Sequence, residues 1–211
     1  MNIRLGIYEI FSRIIPGGLY IVAVAQFGAI LGLVTFDLNT INNLSFIASL
    51  VLVVIAYILG GTFDNLAYAL FKVFNKPGYS ARTFAEFKQK NKHRWIIDFE
   101  DGDWQILLAF IRTKNLELAS ELERNNALSV MLRNVGLGLL LMAINSLIQF
   151  FISWSPLFVL MSVLLLIVSI LIVREAVKFR GWFYNSIYET IIAYRIDLEN
   201  AVKPVKNRKE K

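Results

Sequence analysis

Apolar residues in this chain come in long uncharged blocks rather than at spaced positions. The runs Ile14 to Phe36, Leu38 to Phe63 and Asn134 to Val173 contain no Asp, Glu, Lys or Arg. A hydrocarbon core ~30 Å thick needs about 20 helical residues at a rise of ~1.5 Å each. The first two blocks meet that length and the third is about twice it. The pattern therefore predicts four transmembrane helices in two hairpins, at about 16–36, 44–63, 135–154 and 157–173. Turns are expected at 37–43, where Asn39, Asn42 and Asn43 cluster, and at Ser155-Pro156.

Outside the blocks the periodicity changes. Ile3, Ile7, Ile10 and Phe11 recur at helical spacing, with Arg4, Glu9 and Arg13 elsewhere on the wheel, which predicts an interfacial amphipathic helix over 1–13. Pro16-Gly17-Gly18 is expected to break the chain direction after it. Leu66, Leu70, Val73 and Phe74 continue the second helix amphipathically past the bilayer, up to Pro77-Gly78. In the charged insert that follows, Thr83-Phe84-Ala85-Glu86 has the form of a capping box. Asp103 is placed to cap a helix over 104–113, and a third helix is expected to start near Asn115 and run into the third span. Beyond the fourth span, Tyr184, Ile187, Ile191, Tyr194 and Leu198 follow the three-four spacing of a heptad seam, ended by Pro204. The expected fold class is all-α, a polytopic membrane protein with a small helical cytoplasmic domain. Its parts are an interfacial helix (1–13), a first hairpin (14–63), an insert (64–134), a second hairpin (135–173) and an amphipathic helix with a basic tail (174–211).

Composition agrees, and charge sets the topology. Apolar residues make up 56% of the chain, and mean hydropathy is +0.56; soluble domains run at roughly 45–50% apolar. Of 22 Lys and Arg, 2 fall in residues 1–13, 11 in 64–134 and 9 in 174–211. The hairpin turns hold none, and Asp37 is their one charge. Lys and Arg are retained on the cytoplasmic side, so the insert and both termini are expected there. Trp154 fits an aromatic anchor at the opposite boundary. Ala23-Val24-Ala25 after a basic start has the look of a signal-peptide cleavage site. The apolar run continues well past Ala25, so it is read as a retained span.

Candidate chemistry is sparse. With no cysteine and one histidine, His93, disulfide frameworks, thiol nucleophiles and Cys/His zinc sites are excluded. The stretch Asp98-Phe99-Glu100-Asp101-Gly102-Asp103 invites a calcium loop, but such a loop needs glycine sixth and glutamate twelfth. Counting from Asp98, glycine is fifth and Ala109 is twelfth. A membrane phosphatidyltransferase would need Ala-Arg after Asp-Gly and later paired aspartates, which residues 104–113 do not supply. No catalytic, cofactor or metal site is predicted. Lys90, Lys92, His93 and Arg94 form a basic cluster explained either by positive-inside bias or by contact with anionic headgroups, nucleic acid or an acidic partner surface. Gln26, Asn145 and Gln149 lie at mid-span depth, where amides line a pore or hydrogen-bond between helices; packing is the favoured reading. Gly28 and Gly32 form a GxxxG pair and Ala56 and Gly60 a small-xxx-small pair, either of which lets helices approach closely. The seam from Tyr184 to Leu198 is a candidate oligomer or partner contact. Its cover is the insert of the same chain, a neighbouring copy or a partner. Lys203, Lys206, Arg208, Lys209 and Lys211 form a basic tail that either lies against anionic lipid, at about 1 kcal/mol per basic residue, or is a soluble, unengaged end.

Phe11-Ser12-Arg13-Ile14-Ile15-Pro16-Gly17-Gly18 opening the first span, the central charged insert, and Arg174-Glu175 closing the fourth carry a resemblance. The layout resembles small four-span inner-membrane proteins of bacterial defence islands, including the membrane subunit of two-gene antiphage systems of the Kiwa type. The resemblance implies an oligomeric membrane platform that senses or responds to infection together with a cytosolic protein, and assigns no functional residue. The residues themselves lead to the expectation of a non-enzymatic scaffold, sensor or effector that forms a homo-oligomer and engages a cytosolic partner. The alternative is an oligomeric channel or pore lined by the mid-span amides.

Overall fold

The computed structural model describes residues 3–34, 45–75, 79–90 and 100–193. Among these the chain is all-helical, with no strand: α1 (Ile3–Ile30), α2 (Phe46–Thr62), α3 (Asp64–Phe74), α4 (Tyr79–Lys90), α5 (Trp104–Lys114), α6 (Leu116–Ser153) and α7 (Pro156–Ala193). The turn expected at 37–43, the basic residues at 92–94, Tyr194, Leu198 and the tail 203–211 lie outside the described residues. The chain divides into two compact units, Met1–Asn75 with Ala127–Lys178, and Lys76–Asn126 with Phe179–Lys211.

Among the described residues three helices are long and apolar enough to cross a membrane, namely Ile10–Ile30 within α1, α6 and α7. At 38 residues each, α6 and α7 are about 57 Å long, nearly twice a hydrocarbon core. The second helix was expected to continue amphipathically past Phe63; instead α2 and α3 meet there at 47° and are long and apolar enough to cross a membrane only as a bent pair. The bend has a packing cause. The Phe63 ring lies 4.8 Å from Tyr20, and turning there buries Ala67 and Phe71 of α3 in the first unit.

Small residues set how closely these helices approach. α1 runs through Pro16 without ending, so the expected break at Pro16-Gly17-Gly18 does not occur. Gly17 is instead the point where α1 crosses α2: an added Cβ would overlap the Ala56 backbone, and one at Gly60 would overlap the Arg13 carbonyl. The Ala56/Gly60 pair therefore packs helices within the chain. Gly28 and Gly32 do not. Gly32 lies past the end of α1 with φ +71°, and the bonds Leu33 N–H to Gly28 O (2.9 Å) and Gly32 N–H to Ala29 O (3.1 Å) form a Schellman cap.

Antiparallel α6 and α7 are joined by a ladder of serine hydroxyls. Ser129 Oγ donates to Ala176 O at 2.8 Å, Ser169 Oγ to Gly136 O at 2.7 Å and Ser162 Oγ to Ala143 O at 2.9 Å. The partners step by seven residues in opposite directions along the two helices, so each rung is a place where a small residue lets the backbones close. Between the helices Trp154 adopts φ +54° and Phe158 N–H bonds to Ser155 O at 3.1 Å, forming the tight turn expected at Ser155-Pro156.

The second unit has its own core. Leu107 and Ile111 of α5, Ala119 and Leu122 of α6, and Phe183, Ile187, Tyr188 and Ile191 of α7 are buried together with Phe87 of α4. Rings interlock edge to face, Trp104 with Phe183 at 5.6 Å and Phe84 with Tyr188 at 5.4 Å. Arg180 lies 5.0–5.7 Å from the Trp104, Phe183 and Tyr184 rings and donates to Asn126 Oδ1. Asn115 Oδ1 accepts from Leu118 N–H at 3.0 Å, capping α6 where a helix start was expected. Two expected caps are different. α4 begins at Tyr79, which places Thr83 inside the helix and buried rather than in a capping box. Asp103 Oδ2 accepts from Glu100 N–H at 2.8 Å, closing the 3₁₀ turn over Asp101–Asp103 rather than α5.

Candidate functional site

Two of the three mid-span amides, Asn145 and Gln26, bond within the chain. Asn145 on α6 is buried, and its Nδ2 donates to the Ala23 carbonyl of α1 at 2.7 Å. Gln26 on α1 reaches the same face of α6, donating from Nε2 to Ser146 Oγ at 3.3 Å. Ser146 in turn donates to Met142 O at 2.9 Å. Gln26 Oε1 is buried with no partner among the described residues. Gln149, one turn beyond Asn145, is half-buried. These contacts tie α1 to α6 through side chains that hydrocarbon would leave unsatisfied. The described part of the seam is likewise packed internally: Tyr184, Ile187 and Ile191 are 7%, 0% and 0% exposed, covered by α4, α5 and α6 of the second unit. For these three residues the cover is the same chain.

The densest polar constellation lies elsewhere, at the α2–α3 bend. Asp64 opens α3, where the helix N-terminus favours a negative charge. Arg133 Nη2 donates to both Asp64 oxygens at 2.8 Å. Asn134 Nδ2 donates to Asp64 Oδ1 at 2.8 Å and to Val130 O at 2.9 Å. The Tyr20 hydroxyl of α1 is shared between Asn134 O at 2.9 Å and Asn134 Oδ1 at 3.0 Å. Tyr20 and Asn134 are essentially buried, at 0% and 1% exposure. The Asp64 side chain is 38% exposed and that of Arg133 14%, and Arg133 Nε has no partner among the described residues. α1, α3 and α6 thus meet on one chain of donors and acceptors.

Around it, cations sit over tyrosines. Arg133 Cζ and Lys72 Nζ lie 5.2 Å and 4.7 Å from the Tyr68 ring centroid, and Arg13 Cζ lies 5.4 Å from that of Tyr57. Arg13 Nη1 also donates to Tyr57 Oη at 3.3 Å. A belt of tyrosines and snorkelling cations is what the bilayer–water boundary selects. Nothing in this arrangement resembles a nucleophile with its base. Among the described residues no group of three His, Cys, Asp or Glu comes together as a metal site.

Sequence reasoning passed over Asp64, Arg133, Asn134 and Tyr20. A signal for two of them was present: Asp64 is the first charge after the second apolar block and Arg133 the last before the third. Asn134 and Tyr20 are unremarkable in sequence and acquire meaning only by proximity. The fold and this constellation define the chain as an all-helical protein with helices fit to cross a membrane. Compared with known proteins, it matches no protein family, no curated protein and no solved structure.

Proposed function

We propose that the chain is a four-span, non-enzymatic platform of the bacterial inner membrane, homo-oligomeric, whose second unit engages a cytosolic protein. The observation that carries this reading is the separate aromatic core of the second unit, assembled from the charged insert and the end of α7. A helical module with its own core, linked to helices of spanning length and rich in Lys and Arg, suits presentation to a soluble partner. In this reading α2 supplies the fourth crossing, and the insert and both termini are cytoplasmic by their Lys and Arg content. A role in antiphage defence, as the resemblance implies, belongs to the same proposal. The channel alternative has less support, because Asn145 and Gln26 donate to groups of their own chain.

Cysteine labelling tests the topology on a background free of native thiols. An impermeant maleimide added to intact cells is expected to reach a thiol at Asn42 and to miss thiols at Asn91 and Asn207. Labelling at Asn91 from outside refutes the orientation and the cytosolic partner with it. The nature of the assembly is read from the intact mass in nanodiscs and from planar-bilayer recordings. A multimer that retains a soluble protein supports the platform, whereas a monomer or a reproducible unitary conductance overturns it.

A further inference from the structure

We infer that α3 is an interfacial helix that lies in the headgroup region of the bilayer, with phospholipid covering its outward apolar flank. The inference rests on the proposed reading of α2 as a span and adds a lipid-binding surface to it. At ~100° per residue, the eleven residues of α3 fall into three sectors. Ala67 and Phe71 are buried in the first unit. Asn65, Tyr68 and Lys72 form an exposed polar flank, and Leu66, Ala69 and Val73 an exposed apolar one. Val73 is 76% exposed and Leu66 50%, although both sit on a helix whose third sector is well packed. A helix facing only water has no reason to separate its outward half into a polar and an apolar flank. One lying at the boundary does, since one flank meets headgroups and the other meets acyl chains.

Three further observations point to lipid rather than to protein or water. α2 has 17 residues, about 25 Å of rise, so a crossing chain reaches the leaflet boundary close to where α2 ends. The exposed apolar surface of α2, including Val51, Val54 and Ile58, is followed directly by Leu66 after the 47° bend. Lys72 lies back over Tyr68, a cation and an aromatic ring of the kind that anchor helices at headgroup level. Asp64, the one acidic residue of α3, is turned into its contact with Arg133 and so does not oppose the lipid surface.

The experiment uses the full chain in nanodiscs of phosphatidylethanolamine and phosphatidylglycerol. Single cysteines replace Val73, Leu66, Asn65 or Val54 and carry a nitroxide. Collision with oxygen, which partitions into lipid, is compared with collision with a water-soluble nickel chelate. The expected result is oxygen-dominated relaxation at 73 and 66 and nickel-dominated relaxation at 65. Nickel-dominated relaxation at both 73 and 66 places the flank in water and overturns the inference. Protection of both from either reagent means that a second copy or a soluble protein covers them, and overturns it equally. Position 54 separates the two readings. Oxygen dominance there with failure at 73 refutes only the interfacial helix, whereas nickel access at 54 refutes the span and the inference together.

Discussion

Replacing Asp64 tests whether the network at the bend holds the first unit together. In Asp64→Ala, the Arg133 guanidinium loses both oxygens it donates to at 2.8 Å, and its side chain is only 14% exposed. Breaking a fully buried pair costs about 3–5 kcal/mol because a charge is stranded. Here the Asp64 side chain is 38% exposed, so solvent already screens the pair, and a loss of about 1–3 kcal/mol is expected. Asp64→Asn keeps an acceptor for Arg133 and should lose less. The reversed pair, Asp64→Arg with Arg133→Asp, distinguishes this network from a generic ion pair. Reversal places a cation at the N-terminus of α3, where the helix dipole opposes it by about 0.3–1 kcal/mol. It also turns a donor toward Asn134 Nδ2, which donates to Asp64 now. The swap should therefore recover only part of the loss. Reversible unfolding by steric trapping in bicelles gives each free energy, and the single and double variants close a cycle. A reversed pair as stable as the native one, or an Asp64→Ala variant without a measurable loss, refutes the reasoning.

Three other outcomes follow from contacts in the two units. Ser129, Ser162 and Ser169 changed together to Ala should destabilise the α6–α7 pair by about 2 kcal/mol, since interhelical bonds in membranes are worth ~0.6 kcal/mol each, the Ser129 rung outside the apolar block is worth ~0.5–1.5 kcal/mol, and rungs ~10 Å apart add; the same unfolding assay checks this. Asn145→Leu should cost on the order of 1 kcal/mol by removing the bond to Ala23 O, and an unchanged unfolding midpoint contradicts it. Ile187→Ala, at a site with 0% exposure, should cost about 2–5 kcal/mol and expose amides of the second unit to hydrogen exchange; exchange as slow as in the native chain argues against the core assigned to it.

Much of the helix layout was legible because uncharged length is a direct consequence of bilayer thickness, and the spanning halves of α6 and α7 could be read from the apolar block between Asn134 and Val173. The start of α6 was legible too, since Asn115 is a strong capping residue and its cap falls where a helix start was expected. Errors arose where one residue type serves two physical ends. Pro16-Gly17-Gly18 has the composition of a break, yet Gly17 serves the crossing with Ala56. Gly28 and Gly32 have the spacing of a packing pair, yet Gly32 ends the helix through its positive φ. Thr83-Phe84-Ala85-Glu86 has the spacing of a cap, yet the helix already starts at Tyr79 and Thr83 lies inside it. The network at the bend was hidden for a different reason. Tyr20, Asp64 and Asn134 are far apart in sequence, and no local pattern states that α1, α3 and α6 converge.

The serine ladder between α6 and α7 has a consequence for how the hairpin keeps its alignment. Because the rungs repeat every seven residues, sliding one helix by a heptad brings Ser169 opposite Ser129 and Ser162 opposite Gly136, again small against small. The helices alone therefore describe a vernier with more than one reading, the readings separated by a shift of about 10 Å. What selects one is the connection together with the contacts of the second unit: Trp154 and Ser155 are the two residues between α6 and α7, too few to allow the slip, and Arg180 of α7 is held by Asn126 of α6. The turn is itself under tension, with a tryptophan in left-handed backbone at φ +54°, a conformation that costs roughly 1–2 kcal/mol outside glycine. Alignment of the paired helices is thus shared between a two-residue link and the contact of Arg180 with Asn126.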